Sequence, residues 1–139
     1  MNQENLRILG EYLISLPNDY HGFDMGDYCK NPNKEYVLPR KSECGTVACA
    51  LGHAPRAGIK PRSAAAKENW EYFCDEALDI PFYSDEGLWC FSGEWDATDN
   101  TPQGAGKRIF WLLEHGVPED WEEQIFGEAD LCYESGAGE

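Results

Sequence analysis

The sequence predicts a mainly α fold: one compact helical domain of about five helices, with at most a small strand pair. Apolar residues recur at the spacing of a buried helix face in several stretches. Capping residues, prolines and glycines stand where these stretches begin and end. The chain has 139 residues, 42% of them hydrophobic and 13% aromatic, as is typical of a single packed domain. At this length, folding requires neither a metal nor a disulfide.

The N-terminal part is predicted to be a helix followed by an irregular segment. Residues 3–16 carry leucines at helical spacing, and Pro17 ends the helix. Residues 18–42 contain scattered glycines, prolines and aromatic residues, which favour a long loop packed on the domain. A short strand is expected at residues 35–38. The leucines of the first helix are Leu6, Leu9, Leu13 and Leu16.

The most apolar run of the chain, residues 43–55, is predicted to contain a short buried helix over residues 46–54. Thr46 is a suitable N-cap, and Pro55 ends the helix. Gly52 in the helix interior costs about 1 kcal/mol relative to alanine, which indicates that close packing requires a glycine there.

An amphipathic helix is predicted over residues 63–79, where Ser63 is the N-cap. The segment that follows, residues 81–100, is rich in aromatic residues. Within it, residues 88–92 fit either a turn of helix or a strand paired with residues 35–38, and a loop follows them.

The last two predicted helices cover residues 101–116 and 118–126. The first is the clearest in the chain, because Thr101 can cap it and a proline follows at the first helical position. The helices beginning at Thr46 and Thr101 are expected to be central, with the N-terminal helix packed across them. Residues 127–139 form an acidic, glycine-rich tail.

Charge is distributed unevenly along the chain, whose net charge is −15. Residues 1–29 sum to −4, residues 30–67 to +6 and residues 68–139 to −17. The negative C-terminal half repels nucleic-acid phosphates and attracts basic protein surfaces. We therefore expect no direct binding of nucleic acid. The simplest alternative role of these acids is solubility.

Nothing in the sequence predicts secretion or membrane insertion. The apolar N-terminal stretch is interrupted by charges, and no run reaches the roughly 18 apolar residues of a membrane span. We therefore expect a cytoplasmic protein that does not bind membranes. Its six cysteines are expected to be reduced, most of them as small core residues.

The chain combines a Cys-Ala-Leu-Gly sequence at residues 49–52 with a Trp-Asp pair at 95–96. An Asn-Thr-Pro sequence at 100–102 opens the leucine-rich helix. In this combination it resembles a group of small, mostly uncharacterised helical proteins of bacteria and their phages. The resemblance extends over about residues 5–116 by the order of elements. It implies the helical fold and a phage or mobile-element setting, and it implies no catalytic residue.

The favoured function is that of a non-enzymatic binding or inhibitor protein, phage-encoded and of the counter-defence type. It would dock an acidic C-terminal surface onto a basic site of a host protein. Residues 114–139 contain nine acids and neither lysine nor arginine, and no catalytic constellation is recognisable. The residues expected to contact the partner are Glu119, Asp120, Trp121, Glu122 and Glu123.

The alternative is a protein that binds or sequesters an anionic, nucleotide-like small molecule at the cationic residues 40–62. Cations there flank the predicted start of the Thr46 helix, whose free N–H groups attract anions, and tryptophans would stack on the ligand. Pairing of these cations with acids of the C-terminal half is the simpler interpretation. The residues of this alternative site are Arg40, Lys41, Gly45, Thr46, Arg56, Trp89 and Trp95.

Cys44, Cys49 and His53 bring two thiols and an imidazole into one short stretch. Zinc or a thiol nucleophile would use such groups, and Cys49 and His53 would share one face of the predicted helix. The sequence indicates neither a fourth metal ligand nor a third residue to orient the histidine. We therefore expect no metal, no cofactor and no enzymatic activity, and we leave a metal or thiol enzyme and homo-oligomerisation as open alternatives.

Overall fold

The computed structural model describes residues 1–42 and 46–126, and it confirms a mainly α domain with a small strand pair. None of the helices in these residues is long and apolar enough to cross a membrane. Residues 121–126 are helical. The other α-helices are α1 (Gln3–Ser15), α2 (Ala64–Glu68), α3 (Trp70–Leu78), α4 (Asp85–Phe91) and α5 (Pro102–His115). Short 3-10 helices cover Pro39–Lys41, Leu51–His53 and Gly93–Ala97, and the antiparallel strands are β1 (Cys29–Lys30) and β2 (Val47–Ala48).

Helices α1 and α5 pack against each other and match the predicted helices closely. The α1 helix is capped by Asn2, whose side chain accepts a hydrogen bond from the Asn5 N–H at 3.0 Å. The α5 helix is capped by Thr101, whose hydroxyl accepts from the Gly104 N–H at 3.0 Å. Their buried faces include Leu6, Leu9 and Leu13 in α1 and Ala105, Ile109 and Leu112 in α5.

Two glycines allow α1 and α5 to approach closely. A Cβ atom on Gly106 of α5 would lie 2.5 Å from Cγ1 of Ile14 and 2.9 Å from the carbonyl oxygen of Gly10, both in α1. A Cβ atom on Gly10 would lie 2.9 Å from the ring of Phe110. Larger side chains at these positions would force the helices apart.

The predicted helix over residues 46–54 is wrong, because Val47–Ala48 is strand β2 and Leu51–His53 is a 3-10 helix. β2 pairs with β1, and the Ala48 N–H donates to the carbonyl oxygen of Gly22 at 3.0 Å. The preceding long loop therefore supplies the hydrogen bonds that a helix would have made internally. The segment stays central to the core although it is not an α-helix.

Gly52 marks close packing, as predicted. A Cβ atom there would overlap the backbone carbonyl oxygen of Tyr28 and lie 2.7 Å from the Cβ of Ala48. The Cys49 N–H donates to the carbonyl oxygen of Asp27 at 2.8 Å, on the same side of the segment. The two backbone stretches therefore lie directly against each other, with no space for a side chain at residue 52.

Residues 63–79 form two helices instead of the single predicted one. Asn69 has an extended backbone (φ −149°, ψ 125°) between α2 and α3. Its side-chain oxygen accepts hydrogen bonds from the N–H groups of Glu71 and Tyr72 at 2.8 and 3.0 Å, which caps α3. A residue predicted inside one helix therefore starts a second helix.

Residues 88–92 belong to helix α4 for most of their length, so the strand alternative is wrong. Ser84 caps this helix by accepting a hydrogen bond from a backbone N–H of the first turn at 3.1 Å. The predicted pairing of residues 88–92 with residues 35–38 does not form. Tyr36 makes an isolated antiparallel bridge with Lys30 instead.

The cysteines of the described residues are free thiols buried in the core, as predicted for most of them. These are Cys29, Cys49, Cys74 and Cys90. Cys44 and Cys132 lie outside the described residues, as does the predicted tail 127–139.

We expect the Gly52→Ala substitution to lower the free energy of unfolding by about 1–3 kcal/mol, because the added methyl group must displace the Tyr28 backbone. Urea unfolding followed by far-UV circular dichroism measures the loss. Gly93→Ala is the matched control, since a Cβ atom there would lie 3.4 Å from the nearest backbone oxygen, that of Met25. The control is expected to change the free energy by less than about 0.5 kcal/mol. Equal effects of the two substitutions would contradict the packing argument.

Candidate functional site

A pocket of about 280 Å³ lies where α5 meets α4, the Gly93–Ala97 helix and the segment that contains Pro118 and Gln124. Its wall combines aromatic rings with charged groups of both signs. The rings are those of Trp89, Trp95 and Trp111, and the charged side chains are Asp99, Lys107 and Arg108.

The buried cation of this pocket is Arg108, which is only 6% exposed. Its guanidinium carbon lies 4.0 Å from the ring centroid of Trp95, a cation–π contact. Its backbone oxygen accepts a hydrogen bond from Nε1 of Trp89 at 3.0 Å. Trp95 in turn donates from Nε1 to the backbone oxygen of Trp89 at 2.8 Å. These contacts connect α4, the Gly93–Ala97 helix and α5.

The guanidinium of Arg108 is only partly paired. Nη1 lies 3.4 Å from Oδ2 of Asp99. Nε and Nη2 are buried and have no hydrogen-bond partner in residues 1–42 and 46–126. Leaving a buried donor unsatisfied costs about 1–3 kcal/mol, and more for a charged group. Burial lowers the pKa of Arg108 to about 10, against the effect of Asp99, so the side chain remains cationic at neutral pH.

Asp99 is positioned by the first turn of α5. The Thr101 hydroxyl donates to Oδ1 of Asp99 at 2.7 Å. A Cβ atom on Gly104 would overlap the Asp99 carboxylate. The glycine in the first turn of α5 therefore leaves the space in which this carboxylate reaches Arg108.

The outer wall of the pocket is exposed. Trp111 is 47% exposed, and its ring centroid lies 4.2 Å from that of His115. Lys107 is exposed on the same helix. Pro118 and Gln124 of the same wall belong to the segment that follows α5, so the pocket adjoins the acidic segment.

Residues 119–123 form a second feature, named here the acidic surface. Its four carboxylate side chains are exposed, and none makes an ion pair with another described residue. The segment is anchored by Ile125, which is 3% exposed, and by the Thr98 hydroxyl, which donates to the Ile125 carbonyl at 2.5 Å. Trp121 packs partly buried against the core. The five residues predicted to bind a partner, Glu119, Asp120, Trp121, Glu122 and Glu123, therefore lie together.

Two cations of the predicted anionic-ligand site are engaged within the protein. Nε of Arg40 lies 2.5 Å from Oε2 of Glu68. Arg56 donates to the Tyr20 hydroxyl and to the Thr46 carbonyl, each at 2.9 Å, and also to the Thr46 hydroxyl. Pairing with an acid, the simpler interpretation of these cations, holds for Arg40, whereas Arg56 makes only neutral hydrogen bonds.

The other residues of that alternative are placed differently. Thr46 is not a helix N-cap, since an extended segment follows it, and Lys41 is exposed. Gly45 lies outside the described residues. Trp89 and Trp95 do contact each other, but the cation they contact is Arg108, which the prediction did not include.

His53 is fully buried among aromatic rings. Its Nδ1 must donate to the carbonyl oxygen of Cys49, 2.8 Å away, because a carbonyl only accepts. Nε2 then accepts from Nη1 of Arg56 at 3.3 Å. Burial lowers the pKa of His53 to about 4, and the nearby Arg56 charge adds to this effect. The imidazole is therefore neutral and fully hydrogen-bonded at pH 7.

Cys49 is not arranged as a nucleophile. Its sulfur accepts from the Gly52 N–H at 3.4 Å, and burial raises the pKa of the Cys49 thiol to about 12. The reactive species of cysteine is the thiolate, which this environment disfavours. In the part of the chain that the structure describes, no three His, Cys, Asp or Glu side chains are grouped to hold a metal ion. Cys44, the third residue of that candidate, lies outside this part.

Comparison of the chain with protein-family models, curated proteins and solved structures found no match. The resemblance to small helical proteins of bacteria and phages therefore stays a prediction. The functional interpretation depends on the geometry of the pocket and of the acidic surface.

Sequence reasoning missed Arg108, although the sequence contains a signal for it. Arg108 stands in the apolar stripe of α5, three residues after Ala105 and four before Leu112. A charged residue on the buried stripe of a regular amphipathic helix needs a partner in the core. That the partners would be Trp95 and Asp99 depends on the arrangement of the loops.

We expect stability to fall as the pH decreases from about 6.5 towards about 4. In this range the unfolded chain binds a proton at His53 and the folded chain does not, so acidification favours unfolding. The contribution of His53 to the loss is at most about 3 kcal/mol, from the size of the pKa difference. Urea unfolding at a series of pH values measures the dependence, which should be weaker in a His53→Gln variant.

His21→Gln is the control for this experiment, because His21 is exposed and its loss leaves the His53 environment intact. The control variant should keep the pH dependence of the wild-type chain between about pH 4 and 7. The same slope in His53→Gln as in the wild type would show that other groups cause the dependence.

Proposed function

We propose that this is a non-enzymatic binding protein that docks its acidic surface onto a basic site of another protein. The observation that carries the proposal is the set of four exposed carboxylates in residues 119–123, without an ion pair among the described residues. Charges without an internal ion pair remain available to a partner of opposite sign.

The acidic surface belongs to a stretch of the sequence without lysine or arginine. From residue 109 to residue 126 the sequence contains five acids and neither lysine nor arginine. A concentrated field of one sign accelerates encounter with an oppositely charged surface and fixes its orientation. Solvation alone would not require the acids to be concentrated in one short segment.

The acidic surface is supported from below, which favours binding. Ile125 and Trp121 attach the segment to the core, and the Thr98 hydroxyl holds the Ile125 carbonyl. A preorganised surface loses less conformational entropy on association than a flexible one. The carboxylates are therefore presented in a defined arrangement.

Exposed aromatic residues lie next to the acids. Trp111 is 47% exposed and Phe126 is 50% exposed. Aromatic side chains that become buried at the centre of an interface supply much of the binding energy, while surrounding charges give orientation and specificity. Two such rings beside an acidic segment fit a protein partner better than a small ion.

We take the partner to be a host protein in the cytoplasm, and the binding to be inhibitory, of the phage-encoded counter-defence type. This part of the proposal rests on the resemblance of residues 5–116 and on the charge. A segment of closely spaced carboxylates imitates the charge of a nucleic-acid backbone, so a basic nucleic-acid-binding groove is the kind of surface it fits.

The test begins with affinity purification of the tagged full-length chain from host cells, followed by reconstitution of any complex from the two purified proteins. Replacement of Glu119, Glu122 and Glu123 by lysine is expected to weaken the reconstituted complex at least about tenfold, because each reversal turns an attraction into a repulsion. Calorimetry at two ionic strengths measures the affinity, which should fall with added salt.

The matched control reverses three exposed acids of α1 and α3, namely Glu4, Glu11 and Asp75. It changes the net charge by the same amount and should leave the affinity within about twofold. An equal loss in both variants would mean that only net charge matters. Unchanged binding of the first variant would mean that the acidic surface is not the docking site.

A further inference from the structure

We propose that the pocket around Arg108 binds the carboxylate of a small aromatic monocarboxylate, with the carboxylate on the free edge of the guanidinium and the ring against the tryptophans. This site is separate from the proposed docking of a protein on the acidic surface. The two adjoin at Pro118 and Gln124, which line the pocket.

One edge of the Arg108 guanidinium matches a carboxylate. Nε and Nη2 carry two parallel N–H bonds on one side of the guanidinium, which is the edge that matches the two oxygens of a carboxylate. Neither nitrogen has a hydrogen-bond partner among the described residues. The arginine is only 6% exposed, so more than nine-tenths of it is buried. The remaining nitrogen, Nη1, faces Asp99 at 3.4 Å, so the pairing with protein leaves this edge unused.

The charge of the pocket favours a monoanion. The charged groups that line the pocket are Lys107, Arg108 and Asp99, with a net charge of +1. One negative charge neutralises this set, whereas a second would be repelled by Asp99 and by the acidic segment nearby. A monoanionic carboxylate therefore fits better than a doubly charged phosphate ester.

The size of the pocket suits a small ring system. Its volume is about 280 Å³, just below the usual range for ligand sites. One or two fused aromatic rings with a short acidic arm fill such a space. Trp111 provides an exposed ring for stacking, and the buried Trp95–Trp89 pair lines the same pocket.

Access to the donor edge requires movement of the wall, since both free nitrogens are buried. The exposed members of the wall are Lys107, Trp111 and Gln124. These side chains can change rotamer without disturbing the core. A trapped water is the competing occupant of the donor edge, because a water would satisfy the same two N–H groups.

The experiment is a titration of the full-length, ¹⁵N-labelled chain, followed by the Arg108 Nε–H and tryptophan indole N–H resonances. The probes are indole-3-acetate, neutral indole and adenosine monophosphate. We expect saturable shifts of the Arg108 Nε–H with indole-3-acetate, with a Kd below about 1 mM. Adenosine monophosphate should bind at least about fivefold more weakly, and indole should leave the Arg108 resonance unchanged.

Arg108→Lys keeps the charge and removes the two-donor edge, so it should weaken binding at least about tenfold. Because this residue is buried, the exposed residues Lys107 and Trp111 provide a second test that does not risk the fold. Lys107→Gln and Trp111→Ala should each weaken binding at least about threefold. Their matched controls are Lys67→Gln and Tyr72→Ala, which alter an exposed lysine of α2 and an exposed tyrosine of α3 and should not change the Kd.

Three results would overturn the proposal. The first is an Arg108 Nε–H resonance that does not shift at probe concentrations up to about 10 mM. This would mean that water, and not a carboxylate ligand, occupies the donor edge. The second is equal affinity for indole and indole-3-acetate, which would mean that the pocket recognises the aromatic ring and not the carboxylate. The third is binding only after Glu128→Gln, Asp130→Asn and Glu134→Gln are combined, which would assign the edge to a carboxylate of the chain itself.

Discussion

The burial of the Arg108 charge is the constraint on which the C-terminal half of the molecule depends. A guanidinium in the core is tolerated only with compensating contacts, and here these are the face of Trp95 and the carboxylate of Asp99. Both contacts form only because the Gly93–Ala97 helix lies against α5 and the Asp99 side chain turns inward at the start of α5. Thr98 lies between Trp95 and Asp99 in the sequence. Its hydroxyl donates to the Ile125 carbonyl and so anchors the acidic surface.

Two surfaces of opposite character therefore lie side by side. The acidic surface has exposed carboxylates in high dielectric, where each pairwise interaction is weak but the summed field reaches far. The pocket has one desolvated cation in low dielectric, where a single well-placed anion interacts strongly. The first arrangement suits recognition of a large basic partner, and the second suits recognition of one small acidic group.

The N-terminal half is organised around a different buried group, neutral His53. Its hydrogen bonds to the Cys49 carbonyl and Arg56, together with the surrounding rings, hold the Leu51–His53 3-10 helix against the long loop of residues 18–42. Cys49 and His53, two of the three residues that suggested a metal or a nucleophile in the sequence, are packed in the core. The thiol and the imidazole are both kept uncharged by burial.

The sequence alone determined the helices α1 and α5, because their leucine spacing and their caps are local properties that act within a few residues. It also determined the uneven charge and the position of the acids after α5. The start of the segment 46–54 could not be predicted in this way, because the backbone hydrogen bonds of Ala48 and Cys49 go to residues 22–28 and not to the next turn of a helix. Only the tertiary structure decided that Trp89 and Trp95 would contact Arg108, since these partners meet through loops whose course depends on long-range packing.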